Sequence, residues 1–166
     1  MEHRCQCPPA ELEQVMERYG NTVYRLAYSQ TRSKTDAEDI YQDVFLRYFR
    51  KRPEFESEEH RKAWIIRTTL ICCKRYWSAS FRKETLSLEE ITDVAALPEE
   101  EKGVLQALFQ LPEKYRLPLE LYYVEGLTAE ECAKVLKIRP VAFRVRISRG
   151  KTMLKEKLKG EGIYVE

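Results

Sequence analysis

The sequence predicts an all-α protein of two small helical domains joined by a flexible acidic linker, the second containing a helix-turn-helix. Three observations carry this. Apolar residues recur at mixed three and four spacings, and no stretch alternates like a half-buried strand for more than a few positions. Charge is segregated into blocks along the chain. Finally, "TAEECAKVLKIRPVAFRVRISRGK", Thr128 to Lys151, reads as two helices around a tight turn, the second rich in arginine. At 166 residues, with 43% hydrophobic and 34% charged residues, the chain has the composition of a soluble globular protein of one medium or two small domains. No apolar run approaches the roughly 20 residues that span a bilayer, and "MEHRCQCPPAELEQ" lacks the apolar stretch of a signal peptide. A cytoplasmic protein without membrane insertion is expected.

The first domain is expected over residues 10–79. Leu12, Val15, Met16, Tyr19, Val23, Leu26 and Ala27 mark one helix between Glu11 and Thr31, with a break expected near Gly20. "TDAEDIYQDVFLRYFRK" is a second helix, opened by Thr35 and Glu38 in capping-box spacing and ended by Pro53. With Ile40, Tyr41, Val44, Phe45 and Tyr48 inward, its opposite stripe is Asp39, Gln42, Asp43, Leu46 and Arg50. An exposed leucine among acids and an amide can be a protein-docking patch. "EFESEEH" reads as a loop, and "RKAWIIRTTLICCKRYWSAS" as a strongly apolar third helix. Trp64, Tyr76 and Trp77 interleave there with Arg67, Lys74 and Arg75, which suits single-stranded nucleic acid, whose bases stack on rings while cations meet its backbone. Trp64 is nonetheless expected to serve packing before base contact.

"FRKETLSLEEITDVAALPEE" has weak periodicity and much charge, so residues 80–102 are expected to be the linker and residues 103–160 the second domain. There "VLQALFQL" breaks at Pro112 and "EKYRLPLELYYVEG" follows. Thr128 and Glu131 predict a capping box, and Ala133 a close helix crossing. Phe143, Ile147, Gly150 and Leu154 keep to one face of the last helix. At about 100° per residue, Val141, Val145, Ser148 and Lys155 lie opposite, flanked by Arg144 and Arg149, while Arg146 falls beside the core stripe as a structural or phosphate-pairing group. Lys137 is expected in a left-handed turn position, at a cost of about 1 kcal/mol relative to glycine. Pro140 suits the first position of the helix, where its missing N–H is harmless.

From Asp36 to Glu59 acids outnumber bases eight to four, whereas from His60 to Lys83 there are seven bases and no acid. From Glu84 to Glu101 there are seven acids and no base, and from Lys137 to Lys159 nine bases against Glu156. Such alternation points to two polyanion-facing surfaces split by an acidic connector. The five cysteines, Cys5, Cys7, Cys72, Cys73 and Cys132, suit reduced thiols better than a disulfide framework. His3, Cys5 and Cys7 lack the further ligands of a metal site, so no metal and no cofactor are expected. A redox role for Cys5, Cys7 or the Cys72–Cys73 pair is a minor alternative.

Together these pieces resemble a bacterial sigma factor of the extracytoplasmic-function group, in the sigma-70 family. "DAEDIYQDVFLRYF" looks like its core-polymerase-binding helix, "HRKAWIIRTTLICCKRYW" like its −10 promoter helix, and Leu111 to Leu158 like its −35-binding domain. The resemblance implies a non-enzymatic factor that binds core RNA polymerase, on the β′ clamp helices and the β flap, brings it to promoter DNA and helps open the duplex. An anti-sigma factor is a further implied partner. On this resemblance Asp39, Gln42, Asp43 and Leu46 dock on polymerase. Phe55 and His60 of the Pro53–His60 loop, with Arg61, Lys62, Arg67, Lys74 and Arg75 of the next helix, meet the −10 element, the loop capturing an unstacked base. Arg139, Arg144, Val145, Ser148, Arg149 and Lys151 face the −35 groove. The chain departs from the family pattern at Ile71 and Arg75, where asparagine and aspartate are usual, at Lys137 for the turn glycine, and at Pro140 for a small residue. Ile71 cannot bond a base edge, so that contact is not carried over.

Two other classes compete. A stand-alone helix-turn-helix regulator would use the same recognition helix but leaves the Asp39 stripe and the basic aromatic helix unexplained. A recombinase-like enzyme needs carboxylates clustered beside DNA or a nucleophile with its base, and the two histidines, His3 and His60, have no evident serine or cysteine partner.

Overall fold

A computed structural model describes residues 9–80 and 99–160, whose contacts separate the chain into two units, Met1–Ile91 and Thr92–Glu166. The expected linker residues 81–98, with Arg82 and Lys83, and His3, Cys5 and Cys7 lie outside the described residues, as does the Trp77 side chain.

The first unit is built from α1 (Pro9–Thr31), α2 (Lys34–Lys51) and α3 (Glu58–Ser80). Val15, Tyr19, Val23, Leu26 and Ala27 from α1, Ile40, Val44, Phe45 and Tyr48 from α2, and Ile65, Ile66 and Cys73 from α3 are all buried, so the predicted apolar stripes meet in one core. Thr69 is among the largest fully buried side chains, and its hydroxyl donates to the Ile65 carbonyl at 2.7 Å, which removes the cost of burying it unpaired. α1 runs unbroken through Gly20, contrary to expectation. A Cβ there would lie 3.1 Å from the Tyr41 hydroxyl, so glycine serves to let the Tyr41 ring of α2 lie against α1. Tyr41 itself is accordingly half-buried and not fully inward.

The start of α2 differs from the Thr35 capping box. Ser33 is the cap, in extended conformation, and its hydroxyl accepts the Asp36 N–H at 3.3 Å. Arg32, at φ 53°, turns the chain out of α1 immediately before it, which leaves Ser33 and not Thr35 at the helix entrance. At the other end Arg52 adopts φ 44°, and its N–H donates to the Tyr48 carbonyl at 3.0 Å. α3 begins at Glu58, earlier than its apolar pattern, because acids are favoured in a first helical turn.

The second unit comprises α4 (Glu99–Phe109), α5 (Glu113–Leu119) continued by a wide turn over Glu120–Val124, α6 (Ala129–Leu136) and α7 (Pro140–Gly160). α4 thus starts inside the expected linker, with three acids at its N-terminal end. Leu108, Leu111 and Leu119 form a core against which Ile147, Met153 and Leu154 of α7 pack. α7 crosses α5 at Gly150, where a Cβ would stand 3.1 Å from Leu119 Cδ1 and 3.2 Å from the Tyr115 carbonyl oxygen. Pro118 lies inside the α5 run, and the chain loosens directly after it: the Glu125 N–H donates to the Glu120 carbonyl, five residues back, at 2.9 Å. Arg116 and Glu120, both buried, stand 3.9 Å apart, and Arg116 Nη1 also donates to the Leu111 carbonyl at 3.3 Å, tying α5 to the end of α4.

Candidate polymerase and nucleic-acid interfaces

On α2 the stripe opposite the core is open to solvent: Asp39 and Gln42 are exposed, and Leu46 is 45% exposed. Asp43 is half-buried and accepts from Arg47 Nε at 3.3 Å, one turn on. Asp39 reaches across to α3, where the Tyr76 hydroxyl donates to Oδ2 at 2.7 Å. That bond, burial and the neighbouring carboxylates push the Tyr76 phenol up to about 12. Beneath the stripe, burial and a hydrogen bond to Asp43 push the Cys72 thiol up to about 12. Cys72 and Cys73 are both buried, the opposite of the exposed thiolate that oxidation sensing requires.

The loop between α2 and α3 places Phe55 in an aromatic box. Its ring centroid lies 6.2 Å from Tyr48, 6.0 Å from Trp64 and 5.3 Å from His60, with Tyr48 and Trp64 edge-on at 5.7 Å. The Arg61 guanidinium sits 5.3 Å from the Phe55 centroid. Ser57 Oγ accepts the His60 N–H at 3.1 Å and so closes the first turn of α3. Phe55, Arg61, Lys62 and Trp64 are half-buried while His60 is exposed. Further along α3, Arg67, Ile71, Lys74 and Arg75 are exposed and share one face, a cationic strip with an apolar centre. The outer part of the expected −10 surface is thus solvent-facing, whereas Arg61 and Lys62 are partly covered.

In the second unit the Thr128 hydroxyl accepts the Glu131 N–H at 3.2 Å and Glu131 Oε2 accepts the Thr128 N–H at 3.0 Å, the capping box expected from sequence. Lys137 closes α6 at φ 55°, ψ 45°, with the Ile138 N–H donating to the Ala133 carbonyl at 3.0 Å, and Pro140 opens α7. Phe143 and Gly150 are buried. Arg139, Arg144, Val145, Ser148, Arg149 and Lys151 are all exposed and Arg146 is half-buried, so the division of arginines drawn from periodicity matches their burial. Arg144 Nη2 lies 3.8 Å from Glu130 Oε1, linking the two helices of the motif at an exposed pair.

Two features escaped the sequence reading. Glu58 gathers Tyr19, Arg18 and Arg61 around one carboxylate. Tyr122, Tyr123 and Val124 emerge as exposed apolar residues from the wide turn, with Lys151 Nζ 5.1 Å from the Tyr123 centroid. Only the second carried a local signal, the proline inside a helical pattern. Val141, which periodicity placed outward, is indeed 67% exposed in the first turn of α7.

Family models for Sigma-70 region 2 and Sigma-70 region 4 match residues 15–82 and 95–154. The chain belongs to the sigma-70 family, in its extracytoplasmic-function group. It is 27% identical over 160 residues to the extracytoplasmic-function sigma factor SigE of Mycolicibacterium smegmatis, covering 88% of this chain and 61% of that protein. Over 163 residues it is 25% identical to SigW of Bacillus subtilis, covering 87% of each. It spans only 38% of a Xanthomonas campestris relative, 29% identical over 152 residues, that is named "Probable RNA polymerase sigma factor RfaY". Two solved structures share the fold. The sigma factor RpoE in complex with the anti-sigma factor NepR from Bartonella quintana aligns at TM-score 0.68 and 20% identity over 90% of this chain and 97% of that one. CnrH in complex with the cytosolic domain of CnrY aligns at 0.67 and 23%, over 91% and 89%. Among the described residues no helix is long and apolar enough to cross a membrane.

Proposed function

We propose that this sigma-70 family member binds core RNA polymerase in the cytoplasm and directs promoter-specific initiation, recognising −35 and −10 elements and helping to open the duplex. The observation that carries the reading is the pairing, on one chain, of the open Asp39, Gln42 and Leu46 stripe in the region 2 unit with the open Arg144, Val145, Ser148 and Arg149 face in the region 4 unit. The first docks on the clamp helices of β′, Asp43 adding its partly covered carboxylate, while the region 4 unit also meets the β flap. The second enters the −35 major groove, where arginine bonds guanine bidentately and Val145 meets thymine methyl groups. Arg139 and Lys151 hold phosphates at its flanks.

On α3, Arg67, Lys74 and Arg75 follow the non-template strand, and the Phe55 box with His60, Arg61 and Lys62 receives one unstacked base of the −10 element. The residues involved carry no catalytic constellation, and promoter opening needs none: binding energy for the unpaired strand offsets lost base pairing. A soluble or membrane-tethered anti-sigma factor holds the chain inactive by covering the faces polymerase needs.

In vitro transcription with core polymerase over a genomic library, with start sites mapped, tests the reading. Discrete starts dependent on this chain are expected, and no start above core polymerase alone would overturn it. A gel shift separates the stand-alone regulator: sequence-specific duplex binding by the chain without polymerase would favour that alternative.

A further inference from the structure

The loop that carries Phe55 is short, and its aromatic ring lies among Tyr48, His60 and Trp64. A charged cluster that reaches the same ring is centred on the first residue of α3. Glu58 Oε2 accepts the Tyr19 hydroxyl of α1 at 2.6 Å and lies 3.6 Å from Arg18 Nη1, while Glu58 Oε1 lies 3.6 Å from Arg61 Nε. Arg61 in turn lies over the Phe55 ring. The other ring neighbours of Phe55 among the described residues are Tyr48, His60 and Trp64 of α2 and α3, and the carboxylate beside Arg61 is that of Glu58.

We propose that Glu58 is a positioning residue for −10 recognition: by joining Tyr19 and Arg18 of α1 to Arg61, it holds the guanidinium against Phe55 and keeps the aromatic box shaped for an unstacked base. The inference rests on the base-capture reading of the loop given above. Its strength is not in the ion pairs themselves. Glu58 and Arg18 side chains are 44% and 64% exposed, and such pairs contribute little stability. The Tyr19 bond is the firm one: burial, that bond and the charge of Glu58 push the Tyr19 phenol up to about 12, and the same bond first lowers the Glu58 carboxyl. Glu58 is thus ionised at neutral pH and tied to α1 through Tyr19. Being an acid beside a DNA path, it also weakens indiscriminate phosphate binding, so removing it affects specific and general affinity in opposite senses.

The test uses holoenzyme reconstituted from the full chain and core polymerase. The probe is a fork DNA from a promoter that this holoenzyme transcribes, with the non-template −10 strand single-stranded, either intact or abasic at one position at a time. Wild-type holoenzyme loses most affinity at one abasic position. With Glu58→Gln that loss shrinks about fivefold, while affinity for fully duplex DNA is unchanged or higher. Phe55→Ala abolishes the loss, and adding Glu58→Gln to it changes nothing further. Tyr19→Phe acts in the same direction as Glu58→Gln, more weakly. If Phe55→Ala leaves the abasic penalty intact, the base-capture reading fails and this inference with it. If Phe55→Ala removes the penalty but Glu58→Gln preserves it, the reading stands and the role of Glu58 is overturned. If Glu58→Gln keeps wild-type helicity but lowers binding to all DNA alike, the proposal falls; should Glu58→Gln not fold, Tyr19→Phe, which keeps the carboxylate, decides, a smaller abasic penalty supporting the proposal and an unchanged one overturning it.

Discussion

Tyr76, near the end of α3, donates a 2.7 Å hydrogen bond to Asp39 of α2, so one carboxylate links the open stripe proposed to meet polymerase to the helix proposed to meet the −10 element. The phenol is raised to about 12 from an ordinary value of 10.0. A proton is therefore held more tightly in the folded state, the bond's contribution is complete below pH about 10, and it fades as pH climbs toward about 12. Tyr76→Phe is expected to lower stability by about 0.5–1.5 kcal/mol at neutral pH. Its thermal midpoint should also fall less steeply than wild type across that alkaline window. Parallel pH profiles for the two proteins would remove this role from the bond.

Leu46 is the apolar centre of the same stripe and is 45% exposed, so replacing it removes little from the core. Leu46→Glu is expected to leave helical circular dichroism unchanged and stability within about 0.5 kcal/mol of wild type, as surface substitutions do. Co-purification with core polymerase should be lost. Normal recovery of the complex would place the docking surface elsewhere.

Much of this was legible in the sequence because helical periodicity reports burial directly: the Asp39–Leu46 stripe and the Arg144–Arg149 face are set by spacing alone and reappear as exposed surfaces. The capping signals were less decisive. Ser33 and Thr35 each have an acid three residues on, and the choice fell to Arg32, whose left-handed turn no local pattern announces. At Gly20 the propensity cost was real but outweighed by Tyr41 lying against it, a contact made by another helix. Glu58 was invisible for the same reason: its partner Tyr19 is 39 residues away in sequence, and periodicity carries no information about such pairings.

Gly150 sits where α7 crosses α5, with 3.1 Å to Leu119 Cδ1 and 3.2 Å to the Tyr115 carbonyl oxygen for any added Cβ. The leucine can shift, but the carbonyl belongs to helix backbone. Gly150→Ala gains up to about 1 kcal/mol of helix propensity and is still expected to be net destabilising, because overpacking costs about 1–3 kcal/mol. Urea unfolding would register this as a lower midpoint at unchanged slope. A stabilised variant would mean that the two helices separate freely at this crossing.

Cys72 and Cys132 are buried, and burial heads the causes that push both thiols up to about 12. At pH 8 almost none of either is thiolate. Mass-spectrometric mapping of iodoacetamide labelling should therefore find both unmodified in the native protein and modified once it is unfolded. Rapid native labelling of Cys72 would reinstate the Cys72–Cys73 pair as a redox candidate.

Arg149 and Arg146 provide an internal contrast within α7, since the first is exposed and the second half-buried toward the core stripe. Arg149→Ala should weaken promoter binding by about 1–3 kcal/mol if it bonds a base edge, and relax preference at one −35 position. Arg146→Ala, removing a phosphate or packing contact, should weaken binding to all −35 sequences alike and shift the melting temperature. Arg144 differs again because Glu130 holds it at 3.8 Å across the motif. That pair is exposed and contributes at most about 1 kcal/mol, so Glu130→Ala should leave stability unchanged while raising affinity for any duplex by removing an acid beside the groove. Holoenzyme titrations on a panel of single −35 substitutions separate the three patterns, and a uniform loss for Arg149→Ala would demote it from base reader to backbone clamp.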